Sequence, residues 1–148
     1  MFRPAAKPLP ALIAGVLMLS MAACESKQIP NPSNLVVTAA KPRAWPAAPV
    51  AAPGAKPRIV RIWMSSLRIY AGMWLDGEIV TSTNVASFEI RTAAFSINAD
   101  HVGPGRFAFQ THVLELPPLA RLRRLDLSFI ARNAAGRETT EYASVTIE

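Results

Sequence analysis

The pattern of apolar and polar positions divides this 148-residue chain into three sections. Residues 1–23 have a basic start followed by an uncharged apolar run, and residues 24–57 show no periodicity. From residue 58 to 148, apolar and polar side chains alternate with a period of two. That period is typical of strands with one face on a core and the other in water. The third section is therefore predicted to be a β domain.

The alternating segments of residues 58–148 are short and are separated by turn-forming residues. They lie at 58–63, 67–70, 78–82, 86–91, 95–97, 106–114, 124–132 and 139–147, with a loop predicted at 101–105. No window of useful length has a helical period. About seven strands at spacings near ten residues predict an all-β, antiparallel two-sheet sandwich.

The alternation also predicts which side chains face the core. In segment 86–91, Ala86, Phe88 and Ile90 face one side, whereas Glu89 and Arg91 face the other. In segment 124–132 the apolar positions are the odd-numbered ones, and in 139–147 they are the last three odd-numbered ones. Such a pattern fits antiparallel sheets that are buried on one face only.

Several of these segments resemble bacterial Ig-like domains. The similar stretches are Gly-Glu-Ile-Val-Thr-Ser at 77–82, Asn-Val-Ala-Ser-Phe-Glu-Ile at 84–90, Gly-Arg-Phe at 105–107 and Phe-Ile-Ala-Arg-Asn-Ala-Ala-Gly at 129–136. The section lacks the cysteines and the core tryptophan of antibody-type domains. The resemblance implies an Ig-like β-sandwich over residues 58–148 and a module that binds or spaces other molecules. It implies no more specific function, because fold alone does not fix function.

The first 23 residues have the design of an export signal. Arg3 and Lys7 precede the apolar run 11–23, which ends in small residues. The run is shorter than the roughly 20 apolar residues that a bilayer-spanning helix needs. Glu25 and Lys27 follow at once, and both would be costly in hydrocarbon.

The end of this run, Met21-Ala22-Ala23-Cys24, resembles the lipobox of bacterial lipoproteins. The family pattern usually has leucine where this chain has Met21. The resemblance implies removal of residues 1–23 and acylation of Cys24 by fatty acids such as palmitate, which anchors the protein in a membrane. Because Glu25 is not the aspartate that favours inner-membrane retention, it also implies the outer membrane of a Gram-negative cell envelope. The alternative is a free cysteine beside an ordinary cleavage site.

Residues 24–57 are predicted to be a disordered linker rich in proline and alanine. Seven of the thirteen prolines lie there, and each fixes φ and lacks a backbone donor. Such a segment favours a semi-extended, polyproline-II-like chain. At about 3.1 Å per residue it reaches at most roughly 100 Å from the membrane.

The charge of +6 belongs mostly to the signal and the linker. Residues 58–148 carry ten arginines against nine aspartates and glutamates, so the predicted domain is almost neutral. The high pI is therefore no indication of nucleic-acid binding. His101 and His112 lack the spacing of metal ligands, and no Ser/His/Asp arrangement occurs, so we expect no catalytic residues, metal or cofactor.

Two sets of residues are candidates for binding. Trp63, Tyr70 and Trp74 fall on the polar side of the alternation and predict an exposed aromatic patch, unless the register slips by one and buries them. The dense basic cluster, which would contact an anionic partner or simply be solvated, comprises Arg121, Arg123 and Arg124. The sequence thus favours an envelope lipoprotein whose domain is a non-catalytic protein-interaction or structural module. The alternative is a glycan- or cell-wall-binding module that uses the aromatic face.

Overall fold

The computed structural model describes residues 37–114 and 124–148. Within these residues the chain forms strands and no helix, which confirms the all-β class. The strands are β1 (Val37–Thr38), β2 (Ile59–Met64), β3 (Arg68–Ile69), β4 (Trp74–Thr81), β5 (Val85–Arg91), β6 (Ser96–Gly103), β7 (Arg106–His112), β8 (Arg124–Asn133) and β9 (Glu138–Ile147). None of the described residues belongs to a helix that could cross a membrane.

The strands join into one curled, mixed sheet in the order β1-β2-β4-β7-β6-β5-β8-β9-β3. The pairs β1–β2 and β3–β9 are parallel, and the other neighbouring pairs are antiparallel. The expected arrangement of two separate antiparallel sheets is not clearly present. The physical reason is β6, whose first half pairs with β5 and whose second half pairs with β7, so that it connects both halves of a half-barrel.

The two halves of the sheet close over one apolar core. Phe88 on β5 lies 5.8 Å from Phe107 on β7 and 6.4 Å from Phe129 on β8, measured between ring centroids. All three rings are fully buried. The core therefore draws aromatic side chains from both halves, which explains why the sheet curls and does not remain flat.

The alternation predicted most inward positions correctly. Phe88 and Ile90 are buried, and so are the odd-numbered positions 127, 129 and 131 of β8 and 143, 145 and 147 of β9. Ala86 is exposed, because the register shifts between Val85 and Ser87 and turns this residue away from the core. Two outward positions, Glu89 and Ile130, are buried nevertheless.

Part of the predicted linker lies against the sheet. Residues 24–36 are outside the described residues. Farther along the linker, β1 pairs with β2. Residues 46–57 then follow one edge of the half-barrel, which is formed by the ends of β4 and β8 and the starts of β5, β7 and β9. We call this edge the closed end. The expectation of a free linker therefore does not describe residues 37–57, and the folded body begins before residue 58.

Hydrogen-bond chemistry explains why a proline-rich segment stays on this edge. Proline has no N–H, so the segment carries more backbone acceptors than donors. The strand ends supply the missing donors: the Asn84 amide donates to the Ala52 and Ala55 carbonyls at 3.0 and 2.7 Å. Further donors to carbonyls of the segment are Asn133 (to Pro53 at 3.0 Å and Ala55 at 2.8 Å), Arg106 (to Pro46 at 2.9 Å) and Thr139 (to Pro57 at 2.6 Å).

Candidate functional site

The opposite edge of the half-barrel, which we call the open end, contains a cavity. It is formed by the starts of β4, β6 and β8 and the ends of β2, β5, β7 and β9. The cavity has a volume of about 360 Å³. Its buried wall is made of apolar side chains from seven strands, namely Met64, Ile69, Leu75, Ile90, Phe109, Leu127 and Ile147. The site is therefore concave and apolar, as small-molecule and partner sites commonly are.

Four large apolar side chains are exposed at this end, and we call them the apolar rim. They are Tyr70 (54% exposed), Trp74 (59%), Phe95 (50%) and Leu114 (76%). Phe95 and Leu114 also line the cavity. Large exposed apolar side chains that are concentrated in one region of a surface mark interaction sites more often than scattered single residues do.

The backbone holds the rim in place through the turn between β3 and β4. Gly72 has a φ of +82°, which glycine adopts without strain, and its N–H donates to the Val113 carbonyl at 2.8 Å. The Val113 N–H donates in turn to the Met73 carbonyl at 2.9 Å. The His112 ring lies 5.0 Å from the Trp74 ring, and its Nε2 is 3.0 Å from the Gly72 carbonyl oxygen. These contacts fix Trp74 beside the mouth of the cavity.

The structure separates the predicted aromatic patch into two places. Tyr70 and Trp74 lie on the apolar rim, but Trp63 is only partly exposed and pairs with Glu78, four residues from Trp74 along β4. At about 3.3 Å per residue, that is about 13 Å away. The Trp63 indole N–H donates to the Ala39 carbonyl at 3.0 Å, and Lys41 Nζ lies 4.6 Å from the centroid of its ring.

The other predicted site residues are only partly described. Cys24, Arg121 and Arg123 lie outside the described residues. Arg124 is the first residue of β8, is exposed, and precedes Leu125, which lines the cavity. The dense basic cluster and the lipidation site therefore stay predictions.

Sequence reasoning missed the cavity and two of the four rim residues. The sequence predicts Phe95 at the start of a short strand and Leu114 at the end of another, and it singles out neither as a binding residue. The available signal was positional, because both apolar residues fall at strand ends next to turns, where the alternation no longer guarantees burial. The cavity itself depends on how far the two halves of the sheet separate, which no local pattern specifies.

Several titratable groups of the described residues have a specific partner. Asp76 accepts a hydrogen bond from Gln110 at 2.7 Å, Glu78 forms an ion pair with Lys41 at 2.7 Å, and the His101 ring stacks on Phe107. Among residues 37–114 and 124–148, no group of three histidine, cysteine, aspartate or glutamate side chains is placed to hold a metal ion.

Glu89 is the most buried of the described carboxylates. Arg132 donates to it at 2.7 Å and Arg91 donates at 2.9 and 3.0 Å, and Arg132 also reaches Glu138 at 3.2 Å. The Arg132 hydrogen bond, opposed by burial and assisted by Arg91, lowers the pKa of Glu89, and Glu89 raises the pKa of Arg132. Glu89 and its arginine partners lie on the outer face of β5 and β8, whereas Ile90, the next residue of β5, faces the cavity. It is a structural ion-pair network on the back of the site.

Comparisons with known proteins place this chain in no family. No family model and no curated protein matches this chain. Among solved structures, a DUF4785 family protein from Legionella pneumophila is similar in part, with a TM-score of 0.45 and 12% sequence identity. The match covers 58% of this chain and 27% of that one, so this chain spans about a quarter of its length.

Proposed function

We propose that this protein is an envelope lipoprotein, anchored through Cys24, whose Ig-like β domain is a non-catalytic module that binds a protein partner through the apolar rim. The observation that carries the interaction role is the concentration of four exposed large apolar side chains at one end of the half-barrel. Tyrosine and tryptophan are enriched where proteins bind one another, because each combines a large apolar surface with a polar group.

The anchor is supported by the sequence alone. The sole cysteine of the chain lies directly after an export-signal pattern and in a stretch that resembles a lipobox. A lipid anchor would place the domain at the surface of a membrane, in the outer membrane if the cell is Gram-negative. It would also confine the domain near other envelope proteins, which raises their effective concentration.

The experiment is a cross-linked pull-down of the full-length protein from native envelopes. Wild type is compared with a Tyr70→Ser/Trp74→Ser variant, and a Val50→Ser/Val102→Ser variant serves as the matched control, because Val50 and Val102 are exposed apolar residues that lie outside the rim. We expect a discrete protein partner that the rim variant loses and the control retains. Equal recovery by all three proteins would contradict the proposal.

The same experiment tests the alternative function. Recovery of wall or glycan fragments with wild type, and their loss from the rim variant, would favour a glycan- or cell-wall-binding module. Only Tyr70 and Trp74 of the predicted aromatic patch lie at the open end. Trp63 lies about 13 Å from Trp74 and is partly buried, so the three rings do not form one continuous aromatic surface for a glycan. For this reason we place the protein-binding function first.

A further inference from the structure

The open-end cavity is lined mostly by apolar side chains. Its buried wall is aliphatic or aromatic, and its polar side chains are Thr111, which is half-buried, and Ser96 and His112, which are exposed at the mouth. Every buried side-chain nitrogen or oxygen of the described residues already has a hydrogen-bond partner. Ligand sites normally use a few such groups to fix orientation, so a site with one half-buried hydroxyl and an otherwise apolar wall favours hydrocarbon.

The size of the cavity suits a chain and exceeds what a single ring needs. A cavity of roughly 150 Å³ in another protein holds benzene, whereas this one has about 360 Å³. Ligand pockets range from about 300 to 1,000 Å³, so it falls at the small end of that range. The mouth is bordered by Phe95 and Leu114, which would cover the first methylenes of a chain whose head group stays in water.

The length of chain before the folded body keeps the cavity near a membrane, if the proposed anchor is correct. Twelve residues, 25–36, separate Cys24 from Val37 of β1. Even fully extended, they span only about 45 Å. A tether of this length lets the body reach the bilayer surface, and the acyl chains of the bilayer are the abundant hydrocarbon there.

From these observations we infer that the open-end cavity binds a single alkyl chain of an amphiphile, either a free fatty acid or a phospholipid. The alkyl chain lies against Leu75, Phe109 and Leu127, and the head group remains outside the mouth. Arg124, next to the lining residue Leu125, is available to an anionic head group on the outer surface. The alkyl-chain site shares Phe95 and Leu114 with the apolar rim, but Tyr70 and Trp74 belong to the rim and do not line the cavity, so different variants test the two roles.

The test is photo-cross-linking of the full-length protein in envelope membranes. The probe is dodecanoic acid with a diazirine at its terminal carbon, and cross-linked residues are located by mass spectrometry. We expect label on the cavity wall, on more than one of Met64, Leu75 and Phe109. A second arm uses phosphatidylglycerol vesicles that carry the same photoreactive chain. Labelling by the acid alone would identify a free acid as the ligand, and labelling by both would identify bilayer lipid.

Variants that fill the cavity provide the decisive comparison. Val113, directly after β7, and Ile97, on β6, line the cavity and are partly buried, so Val113→Phe and Ile97→Phe each occupy part of its volume. We expect each to lower cavity labelling by roughly tenfold or more. Val102→Phe adds the same bulk at an exposed position outside the cavity and should change labelling by less than about twofold. Circular dichroism checks that each variant is folded.

The lipid-binding inference and the proposed anchor fail in different ways. A full-length Cys24→Ala variant cannot be acylated at that residue, and we expect its cavity still to be labelled when the probe is added. Absence of cavity label in every protein, or equal label in the filled variants and wild type, would overturn the alkyl-chain site. Loss of label in Cys24→Ala alone would also overturn it, because labelling would then depend on the anchor and not on the cavity.

Discussion

At the scale of single residues, Glu89 is the clearest case in which the fold changes what a side chain does. The alternation places it correctly on the outward face of β5, yet it is only 7% exposed. Arg91, two residues along the same strand, and Arg132, on β8, enclose it. Neither segment alone indicates that β5 pairs with β8, so the buried ion pair could not be predicted from the sequence.

The Glu89 network predicts an acid-dependent loss of stability. The arginines favour the charged carboxylate, so its pKa in the folded protein lies below the ordinary 4.5. The unfolded chain therefore binds more protons, and the stabilisation is complete above about pH 4.5 and is lost as the pH falls through the lower folded value. At neutral pH we expect Glu89→Gln to lower the free energy of unfolding by about 2 kcal/mol. Urea unfolding between pH 7 and 3 measures this.

The difference between wild type and Glu89→Gln should shrink below about pH 4.5, and a difference that is constant with pH would contradict the account. Glu78→Gln is the matched control. Its partner Lys41 is exposed, so removal of this pair should cost less than about 1 kcal/mol at any pH.

Gly77 gives a second prediction at this scale, because it lies in the interior of β4 directly beneath the Phe109 ring. A Cβ at this position would collide with that ring. We expect Gly77→Ala to lower the free energy of unfolding by about 2 kcal/mol through overpacking. Gly54→Ala, where a Cβ meets nothing within 4 Å, should be nearly neutral. A Phe109→Leu background should reduce the Gly77→Ala penalty, and an unchanged penalty would contradict the steric cause.

At the scale of elements, the sequence predicts the strands better than their arrangement. Alternation located most of them, because side-chain period is a local property. It did not predict that β6 pairs with both halves of the sheet or that residues 101–103 continue this strand. The sequence also predicts disorder for the linker because proline lacks a backbone N–H. In the structure, backbone carbonyls of residues 46–57 instead accept hydrogen bonds from the Asn84 and Asn133 side chains.

The docking of residues 46–57 is tested by removing one of these donors. Asn133→Ala loses two hydrogen bonds to this segment, and we expect a loss of about 1–2 kcal/mol in the free energy of unfolding together with faster proteolysis within residues 46–57. Asn98→Ala, at an exposed position of β6, is the matched control and should change neither. Unchanged proteolysis in Asn133→Ala would show that the segment is held by other contacts.

At the scale of the whole molecule, the two ends of the half-barrel have different chemistry. Residues 46–57 cover the closed end, and their carbonyls accept hydrogen bonds from the Asn84 and Asn133 side chains. The open end has the cavity and the apolar rim. Sequence reasoning selected Tyr70 and Trp74 because polar-side aromatics stand out in an alternating strand. It overlooked Phe95 and Leu114, whose signal was their position at strand ends, and it could not predict the cavity, because the cavity depends on packing between distant segments.

The docking of residues 37–57 also shortens the predicted tether. The expected linker of residues 24–57 would reach roughly 100 Å, whereas the chain from Cys24 to Val37 reaches about 45 Å. A chain that begins at residue 58 should therefore be less stable than one that begins at residue 37, since it loses β1 and the closed-end hydrogen bonds. Thermal unfolding of the two chains measures this, and equal midpoints would contradict it.

The central claim is that the open end is the surface through which this protein binds a partner. The most direct measurement is site-specific photo-cross-linking in living cells, with a photoreactive phenylalanine derivative at position 74 of the rim or at position 102, which is exposed elsewhere on the body. The account predicts a discrete protein adduct from position 74 and none from position 102. Adducts from position 102 alone, or the same adducts from both, would contradict it.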